Sequence, residues 1–295
     1  MSATPAASNI TAPTQFVQLG ESQRYAYRRF GGDSALPLLF LQHFTGTLDN
    51  WDPAVTDPLA CDREVILFDN AGVGRSSGAV PLTVAGMAKH VLAFLDAVGV
   101  TRCDVLGFSL GGMIAQQLAR DRPSIVRRMI LVGTAPRGGE DICHPEKPSL
   151  ARYFGDRSLQ GRYARLPGLF FAPSKSSQEA AIAFVARLEH RTEDPDLPSG
   201  PQVAQAQIAA FRDWERYVGE RFADLRVIGQ PTLVVHGIFD EMIPVTNAYW
   251  LSQQLPNAVL LTYSDSAHGC LFQFHKPFTR QAAAFLASDS AFAPY

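Results

Sequence analysis

The chain has 295 residues, 46% of them hydrophobic and 18% charged, with a formal net charge of -2. This suits one large α/β domain with an insertion, or two small domains, around a substantial core. The near-neutral balance gives no electrostatic reason to expect nucleic acid or an anionic membrane as partner, and no apolar run approaches the ~20 residues of a membrane helix.

Residues 1–15 are rich in Ala, Ser, Thr and Pro and lack the charged start and apolar block of a secretory signal. Residues 1–20 are therefore expected as a flexible tail and entry, in a cytoplasmic protein. Cys61, Cys103, Cys143 and Cys270 show neither C-x-x-C spacing nor disulfide-framework density, so they read as free thiols. Arg24 to Phe30 alternates polar and apolar residues, as a half-buried strand would. Pro37 to Gln42 and Glu64 to Asp69 are short continuous apolar runs suited to central strands covered on both faces. Trp51 to Leu59 reads as a short helix. Thr83 can cap a helix striped by Val84, Ala88, Val91, Leu92, Leu95 and Val98, with Gly99 as terminator.

Cys103 to Ser109 is a further buried strand. It runs into Gly107-Phe108-Ser109-Leu110-Gly111, after which Leu110, Met113, Ile114, Gln117 and Leu118 recur at helical spacing until Pro123. A serine in such a strand-to-helix turn adopts a strained backbone with its hydroxyl exposed, and glycines flank it because side chains would collide across the turn. Arg128 to Gly133 is the next strand. The rhythm then breaks: residues 134–226 hold no convincing buried strand. They contain loops and two clear helices, Gln178 to Leu188 and Val203 to Val218. Their aromatics, among them Tyr153, Phe154, Tyr163, Phe170, Phe171, Phe184, Phe211 and Trp214, suit a small core joining helices to sheet. Strands at Pro231 to His236 and Ala258 to Tyr263 resume the alternation, with helices at about Thr246 to Leu255 and Phe278 to Leu286. Such alternation implies a mainly parallel sheet with helices on both faces.

A serine hydroxyl needs a base within hydrogen-bond reach and a third group to fix the base. In parallel α/β sheets these groups gather beyond the carboxyl ends of strands. His268, in the loop after the last strand, is the expected base. His236 lies inside a strand and reads as a packed, hydrogen-bonded core residue, while His90, His144, His190 and His275 lie on helix surfaces or in loops. Asp240, after the preceding strand, is the expected acid, with Glu241, Asp265, Glu140 and Asp141 as alternatives. Chain order is then Ser, Asp, His, as expected for this nucleophile turn. The oxyanion needs two backbone donors: Leu110, opening the helix, and a residue in the loop after Leu39 to Leu41. No two histidines show H-x-H or H-x-x-x-H spacing, which speaks against a metallohydrolase; no metal or cofactor is expected.

Together these residues resemble the α/β-hydrolase superfamily from about residue 21 to 288, closest to lidded serine esterases and the cofactor-free haloperoxidase-like group. The run Asp69 to Ser76 (DNAGVGRS) is similar to that superfamily's turn after the fourth strand; no Lys follows its glycines, so it reads as structural rather than as a phosphate cradle. The resemblance implies an α/β-hydrolase fold with a mostly parallel eight-stranded sheet flanked by helices. The core would be 21–133 and 227–295, and 134–226 a helical lid inserted after the sixth strand. Family members usually carry His-Gly-aromatic after the third strand and a Trp several residues on. Keeping Trp51 in register aligns Gln42-His43-Phe44 with that tripeptide, which makes the Phe44 N–H the second oxyanion donor. His43 stands where glycine is usual; it reads first as structural, with substrate contact as the alternative. His43, Phe239 and Phe108 are the pocket candidates. The implied activity is hydrolysis of a small, largely apolar ester or lactone. Carbon–carbon bond hydrolysis, perhydrolysis and a hydrolase-like receptor with little turnover stay open. Ser109 argues against haloalkane dehalogenases and epoxide hydrolases, which place Asp there. Oligomeric state is not legible.

Overall fold

The computed structural model describes residues 8–33, 36–144, 147, 151 and 161–288. Tyr153, Phe154 and the start and end of the chain lie outside the described residues. Eight strands form one sheet: β1 (Gln15–Leu19), β2 (Gln23–Gly31), β3 (Leu38–Leu41), β4 (Glu64–Phe68), β5 (Cys103–Phe108), β6 (Val126–Val132), β7 (Thr232–Gly237) and β8 (Ala258–Tyr263). Their spatial order is β1-β2-β4-β3-β5-β6-β7-β8. The β1–β2 and β2–β4 pairs are antiparallel and the other five parallel. Strands β3, β5 and β7 are buried at every position, as apolar runs covered on both faces must be.

Two departures from the sequence pattern concern the first strands. β2 is more deeply buried than its alternation predicts, because Arg28, wholly inaccessible, ion-pairs at 2.7 Å with the equally buried Asp49. The N-terminal segment is also drawn further into the fold than its composition suggests. β1 pairs with β2 from Gln15 opposite Tyr27 to Leu19 opposite Gln23, and the Asn9 side chain donates to the Trp51 carbonyl at 2.7 Å. A short strand with one half-buried face carries little apolar signal to find.

The helices are α1 (Pro53–Ala60), α2 (Val84–Ala97), α3 (Leu110–Asp121), α4 (Leu166–Phe170), α5 (Lys175–Leu188), α6 (Pro201–Glu215), α7 (Ala223–Arg226), α8 (Thr246–Gln254), α9 (Cys270–Gln273) and α10 (His275–Ala287). The Thr83 hydroxyl caps α2 by accepting the Gly86 N–H at 3.0 Å. α3 is buried from Leu110 to Ala119. Among the described residues none of the helices is long and apolar enough to cross a membrane, and the four cysteines are free thiols.

Between β6 and β7 the described residues contain helices α4 to α7 and no strand. Tyr163, Phe170, Phe171, Phe184, Phe211 and Trp214 are all buried there. α6 stops at Glu215, three residues before the apolar pattern suggests. Tyr217 and Val218 are exposed, so no burial offsets the entropy of ordering another turn. An ionic seam holds this insertion to the sheet domain. Arg187 of α5 makes a two-pronged pair with the fully buried Asp52, at 2.8 and 2.6 Å. The Asp196 N–H donates to Asp49 at 2.7 Å. Asp69 faces Asp196 in the same seam; burial first, and then that second carboxylate, push its pKa well above the usual carboxylate range.

Candidate active site

Ser109 sits between β5 and α3 with φ 56° and ψ -118°, a conformation that costs a non-glycine residue strain. Hydrogen bonds over-determine it: its N–H donates to the Val132 carbonyl at 2.8 Å and its own carbonyl accepts the Thr134 hydroxyl at 2.7 Å. The turn demands close approach of backbones. A Cβ on Gly111 would lie 1.9 Å from the Leu41 carbonyl oxygen, so α3 packs against the end of β3 only with glycine there. Leu110 is the first residue of α3, and its N–H has no intrahelical acceptor.

Asp240 follows β7 and His268 follows β8, both at the carboxyl edge that Ser109 occupies. His268 Nδ1 and Asp240 Oδ2 are 2.7 Å apart, with both side chains fully buried. The Nδ1–H donates, leaving Nε2 with its lone pair. Neither that Nε2 nor Ser109 Oγ has a hydrogen-bond partner within the protein, and both are buried. To lie over this edge His268 must cross β6. It does so above Gly133 (φ 52°), where a Cβ would stand 3.2 Å from the His268 carbonyl oxygen and 3.3 Å from its Nδ1. The Phe108 ring, 4.9 Å away, supports the imidazole from below.

Asp240 is saturated with donors. Its Oδ1 accepts the Met242 and Ile243 N–H groups, each at 2.9 Å. Its Oδ2 is also approached by His236 Nε2 at 3.0 Å, and the same nitrogen lies 2.8 Å from the Ile243 carbonyl. With acceptors on both, His236 Nε2 must carry the hydrogen. Burial by itself would raise the Asp240 pKa, but the His268 charge and the hydrogen bonds from His236 and His268 outweigh it and hold the carboxyl well below its ordinary range. The other acid candidates lie elsewhere: Asp265 is half-buried and accepts the Ser176 hydroxyl at 2.7 Å, Glu140 pairs with Arg221, Asp141 pairs with Lys147, and Glu241 is exposed.

The loop after β3 is braced internally and from the insertion. Gln42 accepts the His43 N–H at 2.9 Å and donates to the Thr47 carbonyl at 2.9 Å. Thr45 (φ 57°) donates its N–H to Gln207 of α6 at 2.6 Å. Trp51 is buried against Phe40 at 4.9 Å, and Phe44 against Phe211 at 5.7 Å. His43 Nδ1 lies 2.8 Å from the Phe44 carbonyl. Burial, together with nearby His268, pulls its pKa down to about 3 against the opposing pull of that carbonyl. Sequence reasoning missed Gln207 and the acceptor of His236; an amide on a helix and a histidine in a strand carry no signal of their own.

Two clefts open at this edge. One, of about 630 Å³, has His43, Thr45, Arg165, Leu166 and Ile208 among its walls. The other, of about 650 Å³, is bordered by Phe171, Phe239, Glu241 and Ala267, and Phe239 is more than half exposed at its rim. Phe108 belongs to neither wall. Among the described residues no group of three His, Cys, Asp or Glu side chains is placed to hold a metal ion.

Residues 37–274 match the family described as alpha/beta hydrolase fold. An alpha/beta hydrolase fold protein from Chitinophaga pinensis superposes with a TM-score of 0.88 and 41% identity, covering 96% of this chain and 100% of that one. A protein of Variovorax paradoxus named as a carbamate hydrolase, RutD, is 28% identical over 83% of this chain and 90% of its own length. Est816, described as an N-acyl homoserine lactone degrading enzyme, is 26% identical with a TM-score of 0.70, over 92% of this chain and 100% of its own.

Proposed function

The chain belongs to the α/β-hydrolase fold family, and from that premise we propose that it is a serine hydrolase cleaving a carboxylic ester or lactone of a small, largely apolar substrate. The observation that carries this reading is the buried Asp240–His268 pair at 2.7 Å, with its Nε2 and the Ser109 hydroxyl both left without protein partners at one sheet edge. A base whose tautomer is set by a carboxylate and whose second nitrogen is unspent is what serine activation requires. In bound substrate, Ser109 Oγ attacks the carbonyl carbon while His268 Nε2 takes its proton, and Asp240 stabilises the imidazolium. The N–H groups of Leu110 and Phe44 hold the oxyanion. His268 then protonates the leaving alcohol, and water, deprotonated by the same nitrogen, releases the acid from Ser109. Residues 134–226 act as the lid over this site. A carbamate and a lactone, named as substrates of two relatives, are carbonyl compounds open to the same attack.

Ser109→Ala, purified and folded, is expected to lose p-nitrophenyl ester turnover entirely and to escape labelling by a fluorophosphonate that modifies the wild type. Full retained activity would overturn the proposal, and tight ligand binding without turnover in the wild type would favour a receptor instead.

A further inference from the structure

His43 stands in the loop that the reading above makes one side of the oxyanion hole, and it is only 4% exposed. Its ring is held on three sides. Nδ1 donates to the Phe44 carbonyl at 2.8 Å, and the rings of Phe108 and Phe170 stand edge-on to it at 5.4 and 5.1 Å. Those two rings also border His268, at 4.9 and 5.9 Å, so both imidazoles share one aromatic wall. Because Nδ1 carries the hydrogen, Nε2 is an acceptor with a lone pair, buried and without a partner in the protein. Such an atom is costly unless something donates to it. His43 borders the cleft of about 630 Å³ and, together with Leu110, a void of about 30 Å³, room for one small polar group.

We propose that His43 reads the substrate: its Nε2 accepts a hydrogen bond from an N–H or O–H in the acyl part, close to the scissile carbonyl. The favoured substrates are then N-acylamino or hydroxylated esters and lactones rather than plain alkanoates. The assignment rests on the serine-hydrolase reading and narrows it. A wholly buried imidazole with a pKa near 3 is neutral at physiological pH, so it serves as an acceptor and not as a cation for a carboxylate. The donor must therefore come from a neutral amide, carbamate or hydroxyl.

The test compares the p-nitrophenyl esters of N-acetylglycine and 4-oxopentanoic acid, which differ by NH in place of CH2, each rate divided by its hydroxide-catalysed rate. Wild type is expected to prefer the amide about tenfold in kcat/KM, the worth of one hydrogen bond to a group otherwise left unsatisfied. His43→Ala is expected to abolish the preference, and His43→Gln, whose amide oxygen still accepts, to keep part of it. Fluorophosphonate labelling of Ser109 in each variant reports a folded site. Labelling and turnover with the same preference in wild type and His43→Ala overturns the assignment alone. No labelling and no turnover of either ester by wild type overturns the hydrolase reading, and this assignment with it. If His43→Ala fails to fold, the His43→Gln ratio decides: a value below the wild type and above unity supports the assignment, and a His43→Gln ratio equal to that of wild type, or no preference in wild type, ends it.

Discussion

Two imidazole nitrogens converge on one carboxylate oxygen, Asp240 Oδ2, from His268 at 2.7 Å and from His236 at 3.0 Å, the His236 N–H being shared with the Ile243 carbonyl at 2.8 Å. The second does no proton transfer in the proposed cycle, yet it restrains the carboxylate and draws charge from the oxygen that faces His268. Removing that donor should let Asp240 hold the His268 proton more strongly. His236→Leu is therefore expected to move the acid limb of the kcat/KM–pH profile to higher pH and to lower kcat about tenfold or more. His236→Gln, which keeps an N–H, should stay close to wild type. An unmoved limb in His236→Leu would refute this positioning role. In sequence His236 is one more strand residue; its acceptor comes from a loop four residues on that folds back over the end of β7. Ser109, by contrast, is legible from five residues because its constraint is local: strand, turn and helix are contiguous.

At the scale of elements, the insertion is attached by charge as well as by its aromatic core. Arg187 in α5 is the only described side chain that forms an ion pair with Asp52, which is fully buried and also caps α1 by accepting the Ala54 N–H. Arg187→Ala would strand a buried carboxylate. Loss of one partner of a buried pair costs about 3–5 kcal/mol, reduced here because Arg187 itself is partly exposed. The expected result is a fall of about 2–3 kcal/mol in urea unfolding, with faster amide hydrogen exchange in α5 and little change in β5 and β7. Exchange rising equally across the sheet would show that the seam is not a separate unit. Helix α2 matches its sequence signal because Thr83 caps it through a contact three residues away, whereas α5 begins at Lys175, three residues before the expected Gln178, where the Ser174 hydroxyl accepts the Ser177 N–H. The end of α6 departs from its signal too, since what stops it is the lack of a surface to cover beyond Glu215.

Over the whole molecule, buried titratable groups couple stability to pH with opposite signs. His43 titrates at about 3 in the fold against about 6.5 when unfolded. The unfolded chain therefore binds the proton first, and the stability this group contributes is present above about 6.5 and lost as pH falls toward 3. The lowered Asp240 carboxyl acts in the same direction at more acid pH, below the ordinary carboxylate value. Asp69, raised by burial and by Asp196, does the reverse: its contribution is present at acid pH and lost as pH rises through its raised pKa. Between pH 6 and 4, His43→Gln is expected to lose stability more shallowly than wild type, by about 1.4 kcal/mol per pH unit at most. Urea unfolding at three pH values measures the two slopes, and parallel slopes would exclude His43 as the linked group.

Contiguous patterns in the sequence were enough to determine seven of the eight strands, the serine turn with its following helix, and a segment after β6 whose described residues hold no strand, because apolar periodicity and turn chemistry act within a few residues. The placement of Asp240 and His268 followed from the rule that strand ends gather at one edge, and the described geometry brings those two side chains into contact. Only the tertiary structure decided that His236 shares their oxygen, that Gln207 grips the loop after β3, that Asp49 and Asp52 are sealed beneath the insertion, and that the His43 Nε2 is left without a donor. Each of these depends on segments far apart in the chain meeting where water is excluded, and a buried polar atom acquires its meaning only from the partner that folding brings to it or withholds.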